Sequence, residues 1–152
     1  MVANGAPIRI SWGRVLTGPT PEQMFDLVRD IESYPRFVPG CIAARIVERE
    51  ANRWIVDNVF GLGPIRSRFS SIATFTAPEA LDIRSVDGPW RTFDMGWRFT
   101  AIENGCHVQC TTAFDFHSPI LARVAAVGFE PAQAAIIEAF LRRATALYGA
   151  HT

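Results

Sequence analysis

Three of the side chains considered for acid–base catalysis lie close together late in the chain. His107, Asp115 and His117 fall in a segment where apolar and polar residues alternate. General acid–base catalysis needs such a group beside the substrate, with a tuned pKa. Successive side chains of a strand point to opposite faces, so these three should face away from the apolar side of a sheet. No Ser-His-Asp order, Walker motif or similar signature is present in the sequence, and we predict no catalytic residue.

Three cysteines, Cys41, Cys106 and Cys110, offer thiol or metal chemistry. Their number is odd, and the last two stand four residues apart in a strand-like segment without a paired CxxC or a cluster of His. Such spacing does not match a zinc site. We predict small apolar side chains in a reducing compartment, with no metal and no cofactor.

Side chains suited to binding an apolar molecule share one face of four strand-like segments. Every second residue there is large and apolar or small and polar. The set is Trp54, Val56, Asn58, Phe60, Ile65, Ser67, Phe69, Ser71, Ala73, Phe75, Phe93, Met95, Trp97, Phe99, Cys106, Val108, Cys110, Thr112, Phe114 and Phe116. This mixture fits an ordinary core whose hydroxyls bond the backbone. It also fits a cavity with an apolar wall and a few polar groups that orient a ligand.

The elements that would position these residues are a strand, a helix, a run of strands and a long helix. Pro7 to Leu16 alternates and predicts the first strand. The pattern "TPEQ" beginning at Thr20 predicts a capped helix start, and Pro35 should end that helix. Short turns separate the next segments, which predicts an antiparallel meander. Those segments cover 42–50, 53–60, 65–76, 80–86, 90–102 and 106–117.

The last segment returns to helical spacing. Ser118 is a candidate N-cap, and the helix should run to about Tyr148. Gly128 and Pro131 weaken its interior and predict a kink or a local break there. Only this helix is long enough to cover a sheet. We therefore predict one α+β domain over residues 1–152, with a curved antiparallel sheet of about six to seven strands wrapped around a long C-terminal helix.

The connection "SYPRFVPG", residues 33–40, contains more aromatic and proline residues than a simple turn requires. We predict that it covers the mouth of the cavity, with Phe37 and Val38 available to a ligand. The prolines would limit the entropy lost on ordering. The alternative is that Tyr34 and Phe37 fill the core beneath the first helix.

Composition bounds the class of partner. The 15 basic residues are all Arg and are balanced by 15 acidic ones, so a surface held by phosphate contacts is not expected and we predict no DNA partner. No apolar run approaches the ~20 residues of a membrane span, and the first residues lack signal-peptide or transit-peptide character. We expect a cytoplasmic protein or a cleaved mature form, with transient peripheral contact at the inner membrane.

Four stretches resemble the coenzyme Q-binding branch of the START-like superfamily, also described as oligoketide cyclase/lipid transport proteins. They are "MFDLVRDIESYPRFVPGC", "GPWRTFDMGWRF", "FDFHSPIL" and "EAFLRRATALYG", in the family's order and across nearly the whole chain. The resemblance implies a helix-grip fold and binding of ubiquinone or a similar polyprenyl lipid between sheet and helix, in support of respiration. The chain departs from the family at Gly40, where Trp is common, in the Gly-rich and basic stretch "GLGPIRSRF", and at Pro131.

The alternating faces and this resemblance together predict the wall of the cavity. Small helix residues, among them Ala125, Ala132 and Ala135, should face the sheet and leave volume for a ligand. The predicted ligand-binding residues are Phe37, Val38, Trp54, Asn58, Phe60, Ser67, Phe69, Ser71, Trp97, Phe99, Thr112, Phe114, Val124, Gly128, Ile136 and Phe140.

Relatives of this branch imply two other functions. Some bacterial relatives are described as ribosome-association toxins that bind the large subunit and block joining. That role would need a basic patch, which Arg66, Arg68, Arg142 and Arg143 could supply. The wider superfamily includes aromatase/cyclases that act on polyketides. The inner face offers only hydroxyls, thiols and one amide, so we predict a carrier rather than a cyclase/dehydratase-like enzyme.

Overall fold

The computed structural model describes residues 8–62 and 65–149. Seven strands and two α-helices follow one another, with a short 3₁₀ helix after the first α-helix. The strands are β1 (Ile8–Thr17), β2 (Cys41–Arg49), β3 (Arg53–Leu62), β4 (Ile65–Thr76), β5 (Ala80–Ser85), β6 (Trp90–Ile102) and β7 (Gly105–Phe116); the helices are α1 (Pro21–Arg29), the 3₁₀ helix (Ile31–Arg36) and α2 (Pro119–Tyr148).

The seven strands form one antiparallel sheet in the order β1-β7-β6-β5-β4-β3-β2. Strands β2 to β7 make the predicted meander, and β1 pairs with β7 at the far side. The predicted faces are confirmed, because Trp97 pairs with Cys110 and both are buried beneath α2. The α+β fold with a seven-stranded sheet and a long C-terminal helix is therefore confirmed.

Helix α1 begins as predicted and ends earlier. The Thr20 hydroxyl accepts a hydrogen bond from the Gln23 amide at 3.1 Å, and the Gln23 side chain accepts one from the Thr20 amide at 3.0 Å. The prediction that Pro35 ends this helix is wrong. Asp30 leaves helical geometry, with ψ of 64°, and Pro35 lies inside the 3₁₀ helix that follows.

Helix α2 runs without interruption through Pro131. The Ser118 hydroxyl caps it by accepting a hydrogen bond from the Leu121 amide at 3.2 Å. The predicted local break is absent, and the predicted kink stays a prediction. Proline has no N–H to donate to the carbonyl four residues before it. Because Pro131 is exposed, water can bind that carbonyl instead.

The face of α2 that meets the sheet differs from the prediction. Ala125, Ile137 and Phe140 are buried against the sheet, whereas Val124 is 54% exposed. A Cβ added at Gly128 would meet no atom within 4 Å. The predictions that Val124, Gly128 and Ala135 face the sheet are wrong, because small and apolar residues occur all around this helix and leave its orientation undefined by spacing.

One end of the sheet is closed by α1, and we call it the α1 end. Met24, Phe25, Leu27 and Val28 are at most 3% exposed. The Phe25 ring packs edge-on against Phe75 and Phe99, at 6.2 and 6.3 Å between centroids. The second half of α2 covers the same end. The first half of α2 lies over the opposite end of the sheet.

Helix α2 is long and apolar enough to cross a membrane, by length and composition alone. Only 17% of its most apolar 18-residue window is buried. A helix that packs against the core of a globular protein can meet the same criteria. In this protein, Phe140 of α2 packs against Trp97 of the sheet, with 5.0 Å between the ring centroids.

Candidate functional site

The connection after α1 packs into the α1 end of the core. The rings of Tyr34, Phe37 and Phe140 meet edge to face at 5.1–5.9 Å, and Val38 is 6% exposed. The buried Tyr34 hydroxyl donates to the Val28 carbonyl, and burial raises the pKa of Tyr34 well above its ordinary value. The prediction that this bend covers a cavity mouth is wrong; the alternative, that its aromatic rings fill the core, is confirmed.

The departure at Gly40 has a backbone cause. Its φ of +85° lies in the left-handed region, and a Cβ there would approach the Gly61 carbonyl oxygen at 3.2 Å. The Gly61 amide also donates to the Gly40 carbonyl at 2.8 Å. A residue other than glycine would be strained here.

Five further predicted site residues belong to the packed α1 end. Trp54 lies 4.6 Å from Phe75 and under the Arg49 guanidinium. Trp97 and Phe99 are each 2% exposed. The complete set is Trp54, Trp97, Phe99, Ile136 and Phe140. These residues hold the fold together, and their role as ligand contacts stays a prediction.

A continuous group of aromatic side chains occupies the other end of the inner face. Phe69 and Phe116 contact Trp90 at 5.6 and 4.8 Å, and Phe114 contacts Phe129 of α2 at 4.2 Å. We call this group the aromatic cluster: Phe60, Phe69, Trp90, Phe93, Phe114, Phe116 and Phe129. It contains the predicted site residues Phe60, Phe69 and Phe114.

The aromatic cluster holds one polar group without a partner. The indole Nε1 of Trp90 is covered by protein and has no hydrogen-bond partner among the described residues. A buried donor that lacks an acceptor costs roughly 1–3 kcal/mol. This indole N–H is therefore a buried donor without an acceptor among the described residues.

Two polar pairs border the aromatic cluster. The Asn58 amide donates to Ser71 Oγ at 2.9 Å and to the Phe69 carbonyl at 3.2 Å. The Gln133 amide of α2 donates to Thr112 Oγ1 at 3.3 Å. Asn58, Ser71 and Thr112 were predicted site residues and are buried. Ser67, also predicted, is half-buried on the same face.

Sequence reasoning missed Trp90, Phe129 and Gln133. Simple alternation from Phe93 places Trp90 on the outer face. A bulge between Trp90 and Thr92 shifts the register by one residue and turns Trp90 inward. The signal for Gln133 was a single amide in an alanine-rich stretch of α2.

The titratable groups lie away from the aromatic cluster or are held neutral. Asp115 pairs on the outer face with Arg91 at 3.2 Å. His107 shares that face of β7, as predicted, and His117 follows the end of the strand. Burial raises the pKa of Cys41 and of Cys106 to about 11, and that of Cys110 to about 12. The inner thiols are therefore protonated at neutral pH.

Two open depressions of the described structure lie away from the aromatic cluster. One of about 510 Å³ lies mainly on the outer face, beside Arg84 and Asp94. The other, of about 450 Å³, lies between β1 and the end of α2, beside Arg14 and Arg142. Within residues 8–62 and 65–149, no three His, Cys, Asp or Glu side chains come together to hold a metal ion. The cavity between sheet and helix stays a prediction.

The curved sheet around a C-terminal helix defines the START-like helix-grip class. Within that class, residues 18–141 match the family described as "Polyketide cyclase / dehydrase and lipid transport", and this chain belongs to that family. The expected family resemblance is confirmed.

Named relatives fall into two groups. "Ribosome association toxin RatA" of Vibrio cholerae is 31% identical over 129 residues, which cover 84% of this chain and 90% of the toxin. "Coenzyme Q-binding protein COQ10 homolog B, mitochondrial" of Xenopus laevis is 26% identical over 147 residues, covering 93% of this chain and 60% of that protein.

Solved structures share the fold. An 18 kDa protein of Caulobacter crescentus superposes with a TM-score of 0.77 at 27% identity, covering 94% of this chain and 99% of that one. The Zhui aromatase/cyclase of Streptomyces superposes with a TM-score of 0.79 at 15% identity, covering 91% and 93%. The second likeness concerns the fold alone.

Proposed function

We propose that this protein binds a hydrophobic molecule with a polar ring, best represented by ubiquinone or a related polyprenyl lipid, and acts as a carrier or chaperone that supports respiration. The observation that carries the proposal is the indole N–H of Trp90, a covered donor without an acceptor inside an aromatic cluster. A quinone ring can pack against aromatic side chains, and its carbonyl oxygen can accept that hydrogen bond. The Xenopus relative, named as a coenzyme Q-binding protein, supports the same class of ligand.

The ligand would insert between the aromatic cluster and the first half of α2. Among residues 119–130 of that helix, Ala125 alone is buried. Burying one five-carbon prenyl unit contributes roughly 3–4 kcal/mol at ~0.8 kcal/mol per methylene. The ring and two or three such units would give micromolar or tighter binding after association costs.

Binding rather than catalysis is the role that the side chains favour. A reactive cysteine needs a thiolate, whereas burial raises the pKa of Cys110 to about 12. The carboxylate of Asp115 is engaged by Arg91 on the other side of the sheet. We therefore expect a ligand to leave the protein chemically unchanged.

A matched pair of variants tests this site. Ala132 is half-buried on the inward side of α2, and Ala135 is exposed three residues later. Ala132→Phe should weaken binding of a short-chain ubiquinone at least tenfold, because the new ring would occupy ligand space. Ala135→Phe should leave binding unchanged. Tryptophan quenching and native mass spectrometry after gentle purification report the complex; no quenching and no bound mass at saturating quinone would contradict the proposal.

Ribosome association is the second candidate function, because relatives such as the Vibrio cholerae protein are named for it. The arginines give it limited electrostatic support, since eight of the fifteen pair with carboxylates: Arg14, Arg29, Arg45, Arg49, Arg53, Arg84, Arg91 and Arg98. Sedimentation with purified ribosomes discriminates the two functions. Salt-sensitive co-sedimentation together with a failure to bind quinone would replace the carrier proposal.

A further inference from the structure

Exposed apolar side chains concentrate at the end of the molecule opposite α1. Val86 in the β5–β6 turn is 76% exposed, and Ile120, Val124 and Val127 of α2 are 73%, 54% and 83% exposed. We call these four residues the apolar end surface. They are four of the nine large hydrophobic side chains recorded as exposed in the described part of the chain, so the exposure is not scattered evenly.

The fold brings these residues to one end. Strand β5 leads into the turn that contains Val86, and strand β7 leads into α2. The His117 amide donates to the Pro89 carbonyl at 3.2 Å, which joins the start of α2 to that turn. Val86 and the start of α2 therefore lie at the same end of the sheet as Trp90 and Phe116 of the aromatic cluster.

The β5–β6 turn is held in place by hydrogen bonds. Ser85 Oγ donates to the Ser70 carbonyl at 2.6 Å, and the Ser70 amide donates to the Asp87 carboxylate at 2.7 Å. Gly88 has a φ of +64°, and a Cβ there would lie 2.7 Å from the Arg68 carbonyl oxygen. The turn thus packs directly on β4 and presents Val86 outward from a fixed position.

The first half of α2 carries a positive charge at this end, whereas the β5–β6 turn carries the Asp87 carboxylate. The stretch "SPILARVAAVGF", residues 118–129, contains Arg123 as its single charged residue. The first turn of α2 has no acidic side chain, whereas that of α1 contains Glu22. Arg66 and Arg68 are exposed on the neighbouring β4. Arginines beside exposed valine and isoleucine suit a lipid bilayer, in which anionic headgroups cover an apolar acyl region.

We propose that the apolar end surface docks on anionic lipid bilayers, with Ile120 and Val127 reaching the acyl boundary and Arg123 meeting the headgroups. The proposal rests on the proposed function only in placing the ligand's path beside the docked end, because a quinone would then pass between bilayer and aromatic cluster without crossing water. Docking itself depends on the exposed residues and is measured without quinone.

Flotation of the full chain with vesicles tests the docking surface. One set of vesicles is pure phosphatidylcholine. The other contains about 30% phosphatidylglycerol, which supplies the anionic headgroups. The variant Ile120→Ser/Val127→Ser should lower partitioning to the anionic vesicles at least tenfold. Its matched control is Val15→Ser/Val47→Ser, which alters two exposed valines of β1 and β2 and should leave partitioning unchanged.

Charge is tested separately. Arg123→Glu should reduce partitioning to anionic vesicles about fivefold or more, since one basic residue near such a surface contributes about 1 kcal/mol. It should have little effect on pure phosphatidylcholine. Circular dichroism establishes that each variant is folded.

Each result decides for or against docking. Loss of flotation in the double serine variant but not in its control supports the proposal, whether or not quinone binds in solution. Wild-type protein that stays unbound overturns it, as does equal loss in both serine variants. Apolar end surface mutations that instead disrupt a dimer or ribosome co-sedimentation, with vesicle binding unaffected, also overturn it. Quinone binding measured without vesicles reports separately on the proposed function.

Discussion

Replacing Trp90 by Phe isolates the one unpartnered donor in the aromatic cluster. Phe keeps an aromatic ring beside Phe93 and Phe116, which contact the indole at 4.8 Å. It removes the Nε1–H that has no acceptor among the described residues. The substitution therefore separates hydrogen bonding from aromatic packing at the proposed ligand site.

The expected magnitudes follow from these two losses. Removing an unsatisfied buried donor relieves roughly 1–3 kcal/mol, and the smaller ring forfeits apolar contact of about 1–2 kcal/mol. The free energy of unfolding of the free protein should therefore change by between about −1 and about +2 kcal/mol. Loss of a hydrogen bond of ~0.5–1.5 kcal/mol should weaken quinone binding about 2- to 13-fold.

Isothermal titration calorimetry with two ligands measures the effect. One ligand is a ubiquinone with a ten-carbon chain, and the other is a decyl-substituted benzene without oxygen. Trp90→Phe should weaken the first and leave the second unchanged. Trp12→Phe is the matched control, because Trp12 is a half-buried indole of β1 beside Arg14 and outside the aromatic cluster. Equal weakening of both ligands, or an equal effect of the control, would refute the role given to the indole N–H.

Four further predictions concern stability and thiol chemistry. Tyr34→Phe should lower the free energy of unfolding in urea by about 1–2 kcal/mol, because the Val28 carbonyl loses a buried donor. Gly128→Ala should raise the melting temperature by roughly 2–4 °C, since the new methyl meets no atom within 4 Å and alanine favours the helix by up to ~1 kcal/mol; a lower melting temperature would contradict this. The three buried thiols should react with Ellman's reagent at pH 8 only after unfolding. Because burial raises their folded-state pKa values to about 11–12, stability should fall as the pH rises from about 9 to 11, measured by denaturant titration.

The strands were predictable because turns interrupt them clearly. The limits of β4 and β6 match the predicted segments 65–76 and 90–102. The helix starts at Pro21 and Pro119 were also predictable, since a capping side chain and a proline act locally. Such signals need no knowledge of tertiary contacts.

The predictions that failed depended on contacts distant in sequence. The bend after α1 could cover a cavity or fill the core, and the decision lies with Phe140, more than one hundred residues away from Tyr34. The orientation of α2 was undefined because apolar side chains occur on every side of it. Trp90 was missed because a single bulge reverses the alternation of the residues before it.

The two ends of the sheet differ in a way that links structure to the proposed role. At the α1 end, the aromatic rings of Phe25 and Phe140 are sealed by two helices and contribute to stability. At the other end one helix half covers the aromatic cluster, and that half exposes Ile120 and Val127 to the surroundings. A protein that required only stability would gain by burying those side chains, at ~25 cal/mol for each Å². Their exposure, together with the buried indole N–H that lacks an acceptor, therefore favours two partners at this end. A ligand would accept the hydrogen bond of the indole, and a lipid surface would cover the exposed side chains.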